Sequence, residues 1–200
     1  MNSLKVVCFT ITVVSMVAVC SAQGAKGIEP MPGEPGYLTT PAGSVDQPPP
    51  NDLCADAILV SVPSLTAGTT VGSTLDNNAA ACGPTGVTTA GVWYRVFGTG
   101  NTMTATFCSG GGAATYDSKM HVYCDTCATK TCVDSNDDTC GLQSEVTWCS
   151  QIGYEYLIYV SGFGGATGTF DLYVMDDGTA CPDPGICSIV PVELMGFAVE

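Results

Sequence analysis

Five of the twelve cysteines of this chain lie within the short stretch from Tyr116 to Ser150, together with an acidic turn and two strand-like runs. Cysteine at this density is typical of small exported domains, which are stabilised by disulfides rather than by a large hydrophobic core. Cys8 and Cys20 fall in a predicted leader peptide, so ten cysteines remain in the mature chain. An even number of cysteines in an exported chain indicates disulfides. The sequence therefore predicts a disulfide-stapled fold.

Residues 1–22 have the three regions of a signal peptide. Lys5 supplies the positive charge, residues 6–19 form a short apolar run, and Cys20-Ser21-Ala22 supplies small residues before the cleavage site. The apolar run is too short to be a convincing transmembrane helix. Lipoprotein processing at Cys20 is the alternative, although Val19 is a poor residue before a lipidated cysteine. We expect a secreted or cell-surface protein.

Three segments follow the leader. Residues 23–50 are rich in proline and glycine and show no apolar periodicity, which predicts an extended linker. Residues 51–177 contain the strand-like runs and form the predicted domain. Residues 178–200 are predicted to form a loop closed by a disulfide, followed by a short strand that Pro191 restricts to a sheet edge or to an appendage.

Strand-like runs recur at short intervals from Asn51 onward. The run 91–97 alternates between two faces, and the run 154–160 is apolar on both, as expected for a central strand covered on both sides. No stretch shows a helical periodicity of useful length. These patterns predict an all-β fold, an antiparallel β-sandwich or jelly roll of about eight strands. The runs are 57–62, 68–74, 91–97, 102–107, 119–124, 145–148, 154–160 and 170–174.

The charge of the chain limits its partners. It carries 19 acidic and 5 basic side chains, a formal net charge of −14. A surface this acidic repels the phosphates of nucleic acids and the headgroups of anionic lipids. The remaining partner classes are extracellular polysaccharides, proteins and divalent cations, with Ca²⁺ as the one candidate cofactor.

A candidate calcium loop lies in the acidic turn. Asp134, Asn136 and Asp138 occupy positions 1, 3 and 5 of such a loop, and Glu145 occupies position 12. The match is incomplete because position 6 is Thr139, where such loops need Gly, and because the flanks are strand-like. An ordinary Asn/Asp turn is the alternative. A second candidate cation site combines Asp176 and Asp177 with Asp52 or Asp117.

The crowded cysteines allow two interpretations. Cys124, Cys127, Cys132 and Cys140 could bind zinc through four thiolates. Exported cysteines oxidise, however, which favours disulfides over a metal site or a redox pair. The predicted pairs are Cys127–Cys132, Cys54–Cys82 and Cys181–Cys187, and the pairing of Cys108, Cys124, Cys140 and Cys149 stays open.

No catalytic constellation is recognisable in the sequence. His121 is the only histidine; it is predicted on the polar face of a strand, and no GxSxG nucleophile motif accompanies it. A pair of carboxylates acting on a glycoside depends on a distance that a sequence does not give. Aromatic side chains sharing an exposed face would favour glycan binding, and an ordinary core is the alternative. The aromatic side chains in question are Trp93, Trp148, Tyr94, Tyr116, Tyr123 and Tyr159.

Seven short motifs follow one another between residues 51 and 176. In order they are Asn51-Asp52-Leu53-Cys54-Ala55-Asp56-Ala57, Gly68-Thr69-Thr70-Val71-Gly72, Cys82-Gly83, Gly91-Val92-Trp93-Tyr94, Tyr116-Asp117-Ser118-Lys119, Cys132-Val133-Asp134-Ser135-Asn136-Asp137-Asp138 and Gly162-Phe163-Gly164-Gly165-Ala166-Thr167-Gly168-Thr169-Phe170. With these motifs the region resembles the bacterial pre-peptidase C-terminal type of β-sandwich module. The resemblance implies an accessory domain of secreted proteins without catalysis of its own, in a family whose related modules bind calcium or polymeric substrates. The tail Pro191-Val192-Glu193-Leu194 also resembles the start of C-terminal segments on some exported bacterial proteins, and a packing strand is the alternative.

Together these observations predict a non-catalytic extracellular binding or adhesion module, with calcium, a glycan or a protein as ligand. A small secreted hydrolase that uses carboxylates is the first alternative. A purely structural component of the envelope or matrix is the second.

Overall fold

The computed structural model describes residues 47–76, 79, 81–83, 86–183 and 185–187. These residues form ten β-strands and three 3-10 turns, in agreement with the predicted all-β sandwich. The strands are β1 (Ile58–Leu59), β2 (Ser64–Thr69), β3 (Gly91–Phe97), β4 (Asn101–Thr106), β5 (Ala113–Ala114), β6 (Ser118–Cys124), β7 (Thr131–Asn136), β8 (Glu145–Cys149), β9 (Glu155–Gly162) and β10 (Thr169–Ala180). The 3-10 turns are Cys54–Asp56, Phe163–Gly165 and Gly185–Cys187. Within the described ranges, no helix is long and apolar enough to cross a membrane.

The first sheet has the strand order β1-β3-β9-β6-β7. Its strands pair antiparallel, apart from the parallel pair β1–β3. Strand β9 lies at the centre, and its residues from Tyr156 to Gly162 are all buried. The apolar run 154–160 therefore behaves as predicted, because the sheet is covered on both faces.

The second sheet has the strand order β2-β10-β4-β8, with β5 also paired to β10. Strands β8 and β10 of this sheet alternate between buried and more exposed residues. Strand β4 does not alternate as its sequence predicts, because Thr104 and Thr106, expected to face solvent, are buried as well. Met103 and Ala105 point into the core, opposite Trp148 and Val146 of strand β8 in the same ladder.

The main core fills the space between the two sheets. Large side chains such as Leu172 and Ile158 are fully buried there. Burying one such side chain contributes roughly 1.5–3 kcal/mol.

A second, smaller core lies on the outer face of the first sheet. Trp93, Tyr123 and Tyr159 form an aromatic cluster there, with ring centroids 4.6 Å apart for Trp93–Tyr159 and 5.8 Å apart for Trp93–Tyr123. The segment after β2 packs over this face through Ala79 and Val87. The outer face is therefore a second layer of the domain and not a solvent surface.

Five disulfides link the described residues, and the three predicted pairs are wrong. The observed pairs are Cys54–Cys127, Cys82–Cys132, Cys108–Cys140, Cys124–Cys187 and Cys149–Cys181. Each predicted pair joined two cysteines that follow one another in the sequence: Cys54–Cys82, Cys127–Cys132 and Cys181–Cys187.

The folding of the chain explains the errors. Cys54 precedes β1 and Cys82 follows β2, and both lie on the outer face of the first sheet, where each is bonded to a cysteine of the β6–β7 hairpin. Strand β10 runs on to Ala180, opposite Asn101 of strand β4, which carries Cys181 to Cys149 at the end of β8.

Several predicted boundaries can be compared with the strands. Strand β1 is shorter than the predicted run 57–62, and β2 precedes most of the predicted run 68–74. Strand β7 lies where a turn and a calcium loop were predicted. The predicted signal peptide 1–22, nearly all of the linker 23–50, and the final strand with Pro191-Val192-Glu193-Leu194 lie outside the described residues.

Candidate cation site

Three carboxylates meet at one end of the first sheet. Ligand oxygens of Asp117, Asp137 and Asp138 lie within 4.8 Å of one another, and no other such group of three occurs among the described residues. Asp117 directly precedes β6, and Asp137 and Asp138 directly follow β7. Because β6 and β7 are antiparallel neighbours, the start of β6 and the end of β7 lie at the same end of the sheet.

Two of these carboxylates hold an oxygen away from solvent. Asp117 Oδ1 and Asp137 Oδ1 are shielded atoms without a hydrogen-bond partner within the described part of the chain. Shielded polar atoms in folded proteins are nearly always paired with protein, water or an ion. An acceptor-only oxygen without a donor is suited to a cation.

The protonation of Asp137 is governed first by its burial. Burial raises the pKa of Asp137; Lys119 opposes this rise, and the charges of Asp138 and Asp117 add to it. The Lys119 ammonium donates to the Gly86 carbonyl at 3.1 Å and lies 5.8 Å from the centroid of the Phe163 ring. Among the described residues, Lys119 is the cation that acts on Asp137, and two further carboxylates lie beside Asp137.

Two buried serines fix the backbone beneath the carboxylates. The Ser144 hydroxyl lies 2.7 Å from the Ser118 carbonyl oxygen and 2.9 Å from the Asp137 carbonyl oxygen, within donating distance of both. The Ser144 N–H donates to Ser118 Oγ at 3.0 Å. Both serines are fully buried, so the segments carrying Asp117 and Asp137 are held in register before any ligand binds.

The four residues of the predicted calcium loop do not come together. The Asn136 amide oxygen accepts from the Thr139 hydroxyl and from the Glu145 N–H, at 2.8 and 3.3 Å. Glu145 belongs to the second sheet, where its carboxylate accepts from Thr106 at 2.8 Å. Asp134 is exposed on strand β7 and accepts from the Ser135 N–H at 2.8 Å. Of the predicted set only Asp138 joins the observed group, because an extended strand separates residues that a loop would gather.

The second predicted cation set is also dispersed. Asp176 and Asp177 accept N–H donors from Gly178 and Thr179, at 3.1 and 2.7 Å, as residues of an Asx-type turn do. Asp52 accepts both the N–H and the hydroxyl of Thr74 at 2.6 Å. Asp117 alone belongs to the carboxylate group.

His121 is enclosed and not on a polar surface as predicted. It is fully buried, with its ring 6.5 Å from that of Tyr123 and 6.2 Å from that of Tyr159. Burial, reinforced by the Lys119 charge, lowers the pKa of His121 to about 4. The cause is the segment after β2, which covers the outer face, and a strand pattern does not reveal such a cover.

The aromatic side chains considered for glycan stacking build the two cores. Trp93, Trp148, Tyr94, Tyr116, Tyr123 and Tyr159 are all buried.

Two pockets are lined by described residues. One of about 590 Å³ lies beside Leu59, Val96 and Phe97, and one of about 330 Å³ lies beside Ile58 and Tyr94. The lining of these two pockets contains no Asp, Glu or His.

Comparisons with known proteins find similarity among solved structures. No protein-family model matches the chain, and no curated protein matches it. Among solved structures, the chain is similar to the pre-peptidase C-terminal domain of a collagenase from Bacillus anthracis, with 14% sequence identity and a TM-score of 0.38. The match covers 59% of this chain and 93% of that chain. This domain is of the kind that the sequence motifs resemble, and membership of that family stays a prediction.

Proposed function

We propose that this protein is a non-catalytic extracellular binding module that takes up Ca²⁺ at Asp117, Asp137 and Asp138. The observation that carries the proposal is the convergence of three carboxylates, two of which hold a shielded oxygen that no described residue bonds to. The five disulfides support an oxidising, extracellular location.

The donor set favours Ca²⁺ over other common cations. All the available ligands are hard carboxylate oxygens, without the histidine or thiolate ligands that zinc prefers. Ca²⁺ accepts irregular geometries, whereas Mg²⁺ requires near-ideal octahedral coordination. Extracellular calcium modules bind with dissociation constants on the order of 10⁻⁴–10⁻³ M, and we expect this range here.

Three carboxylates leave coordination positions of Ca²⁺ open, since this ion takes about 6–8 oxygen ligands. Oxygen atoms of an extracellular polysaccharide or protein can occupy these positions. In this proposal the ion links the acidic surface of the module to a ligand that also bears oxygen donors. Such a role agrees with adhesion outside the cell.

Calcium titration of matched variants tests the proposal. Titration calorimetry and thermal unfolding of the full chain at millimolar Ca²⁺ should show heat and a rise in Tm. Asp117→Asn and Asp137→Asn should each remove most of that rise, because they delete one of three ligand charges. Asp134→Asn is the matched control, since Asp134 is exposed and lies outside the group.

Two outcomes would contradict the proposal. One is the absence of heat and of a Tm shift at millimolar Ca²⁺. The other is a response that Asp134→Asn abolishes and Asp117→Asn keeps, which would assign the ion to the loop on β7.

Without calcium, Asp137→Asn should raise Tm, because it removes a carboxylate whose pKa is raised by burial and by its acidic neighbours.

A further inference from the structure

Two of the disulfides attach the beginning and the end of the described domain to one short segment. Cys54 is bonded to Cys127, and Cys187 is bonded to Cys124. Only Asp125 and Thr126 lie between the two attachment points. The shortest covalent path through the domain therefore runs from Cys54 to Cys127, back along the chain to Cys124, and on to Cys187.

We propose that the domain is a tension-resistant link, in which a pull between its two ends is carried by this short path alone. The ten strands, apart from Cys124 at the end of β6, lie in loops that branch from the path, and these loops receive none of the pull. The inference rests on the disulfide connectivity and is independent of the cation site.

The dimensions show how little the path can lengthen. The Cα atoms are 5.7 Å apart in Cys54–Cys127 and 6.0 Å apart in Cys124–Cys187. The segment 124–127 spans at most roughly 11 Å when fully extended, so the whole path reaches roughly 23 Å. Without disulfides, the chain between Cys54 and Cys187 would extend to roughly 450–480 Å.

The segment in the middle of the path is also fixed to the fold. Asp125 accepts from the Tyr154 hydroxyl at 2.6 Å and from the Thr131 hydroxyl. The Lys130 ammonium donates to the Cys127 carbonyl. Strands β6 and β7 hold the segment from both sides, as the two arms of a hairpin.

The observed disulfide pairing makes the domain resistant to extension. Pairing of cysteines that follow one another in the sequence would not. Bonds Cys54–Cys82, Cys127–Cys132 and Cys181–Cys187 would each shorten the chain locally and leave the strands between them extensible. In the observed arrangement, Cys82–Cys132, Cys108–Cys140 and Cys149–Cys181 close loops off the shortest path. These three bonds reduce the conformational freedom of the unfolded chain, and they do not carry the pull.

Single-molecule stretching tests the proposal. The full chain, oxidised and flanked at both ends by marker domains of known unfolding length, is pulled until the markers unfold. The oxidised domain should give no unfolding step longer than about 30 Å, the length needed to release the residues just before Cys54. Reduced protein should give a step of roughly 450 Å.

Two paired variants separate this path from a general effect of disulfides. Cys124→Ser with Cys187→Ser diverts the pull through Cys149–Cys181, so a new step of roughly 80 Å should appear. Cys108→Ser with Cys140→Ser removes a bond that lies off the path, so the chain should stay as inextensible as the original. Both variants lose one disulfide, and only the first should lengthen.

A step of several hundred ångströms in the fully oxidised protein would overturn the proposal. Equal steps in the two paired variants would also overturn it. If the Cys124/Cys187 variant does not fold, addition of a thiol to the stretched original protein provides the same test. Lengthening must then begin only when Cys54–Cys127 or Cys124–Cys187 is cut, as shown by alkylation of the released thiols.

Discussion

Asn51 and Trp93 are joined by hydrogen bonds in both directions. The Asn51 side-chain amide donates to the Trp93 carbonyl at 2.8 Å, and the Trp93 N–H donates to the Asn51 carbonyl at 2.8 Å. Both residues are buried. Asn51 therefore continues the ladder of β3 at a position where no strand lies, and it fixes the entry of the chain into the domain.

Replacement of Asn51 by Ala should destabilise the protein by about 1–3 kcal/mol, because it leaves the buried Trp93 carbonyl without its side-chain donor. Asn101→Ala is the control, since the Asn101 amide makes a longer bond of 3.3 Å to the exposed end of Asp176. Urea unfolding measures both variants. An equal loss of unfolding free energy in the two variants would show that the Asn51–Trp93 hydrogen bond stabilises the fold no more than the Asn101–Asp176 bond does.

The stability of the protein should decrease as the pH is lowered, because of His121. Its pKa is about 4 in the folded protein and 6.5 when unperturbed, so between these values the unfolded chain binds the proton more tightly. The stabilisation from neutral His121 is complete above pH 6.5 and is lost as pH falls towards 4. A shift of this size corresponds to about 3 kcal/mol.

Urea unfolding at a series of pH values measures this effect. His121→Phe keeps an aromatic ring and cannot take up a proton, so its stability should depend less on pH between 4 and 6.5. Because the chain has a single histidine, its NMR titration is unambiguous. A folded-state pKa near 6.5 would contradict the prediction.

The strands with alternating or uniformly apolar sequences could be predicted because one or both of their faces meet the core. Strands β3, β4 and β9 are of this kind. Strand β7 escaped prediction because its sequence, Thr-Cys-Val-Asp-Ser-Asn, is mostly polar. It is an edge strand, and it forms because β6 supplies a ladder of hydrogen-bond partners. Pairing of this kind is a property of the tertiary fold and leaves little local signal.

The candidate site was only partly visible in the sequence for the same reason. The acidic turn was recognised, but a loop template selects alternate residues such as Asp134 and Asn136. The hairpin of β6 and β7 instead joins Asp117 to Asp137 and Asp138 across two strand ends. The signal that could have found the group is an Asp before one strand and an Asp pair after its neighbour.

Peptide mapping of the unreduced protein should recover the bond pairs Cys54–Cys127 and Cys82–Cys132. These bonds hold the turn before β1 and the segment after β2 onto the aromatic outer face of the first sheet. Removal of one native disulfide typically costs 2–5 kcal/mol, so full reduction should lower Tm strongly. The fluorescence of buried Trp93 reports the accompanying exposure of this face. An unchanged Tm with all thiols accessible would contradict the prediction.

Asp125 combines an unusual backbone conformation with two side-chain hydrogen bonds, and variants can separate the two contributions. Its φ of 74° lies in the left-handed region, which costs most residues other than glycine about 1–2 kcal/mol. Asp125→Gly relieves that cost and removes the bonds to Tyr154 and Thr131, whereas Asp125→Ala removes the bonds and keeps the backbone cost. We expect Asp125→Ala to be less stable than Asp125→Gly by about 1 kcal/mol in urea unfolding.

The bond from Tyr154 is tested by combining variants. Tyr154 donates to Asp125 at 2.6 Å, and this bond, together with burial and the Asp125 charge, raises the pKa of Tyr154 to about 12. Tyr154→Phe should cost about 1 kcal/mol in the original protein, because it removes a hydrogen bond to a charged group that is partly exposed to solvent. The same substitution should cost almost nothing in the Asp125→Gly background, where the acceptor is gone. Equal costs in the two backgrounds would mean that the hydroxyl stabilises the fold through another partner.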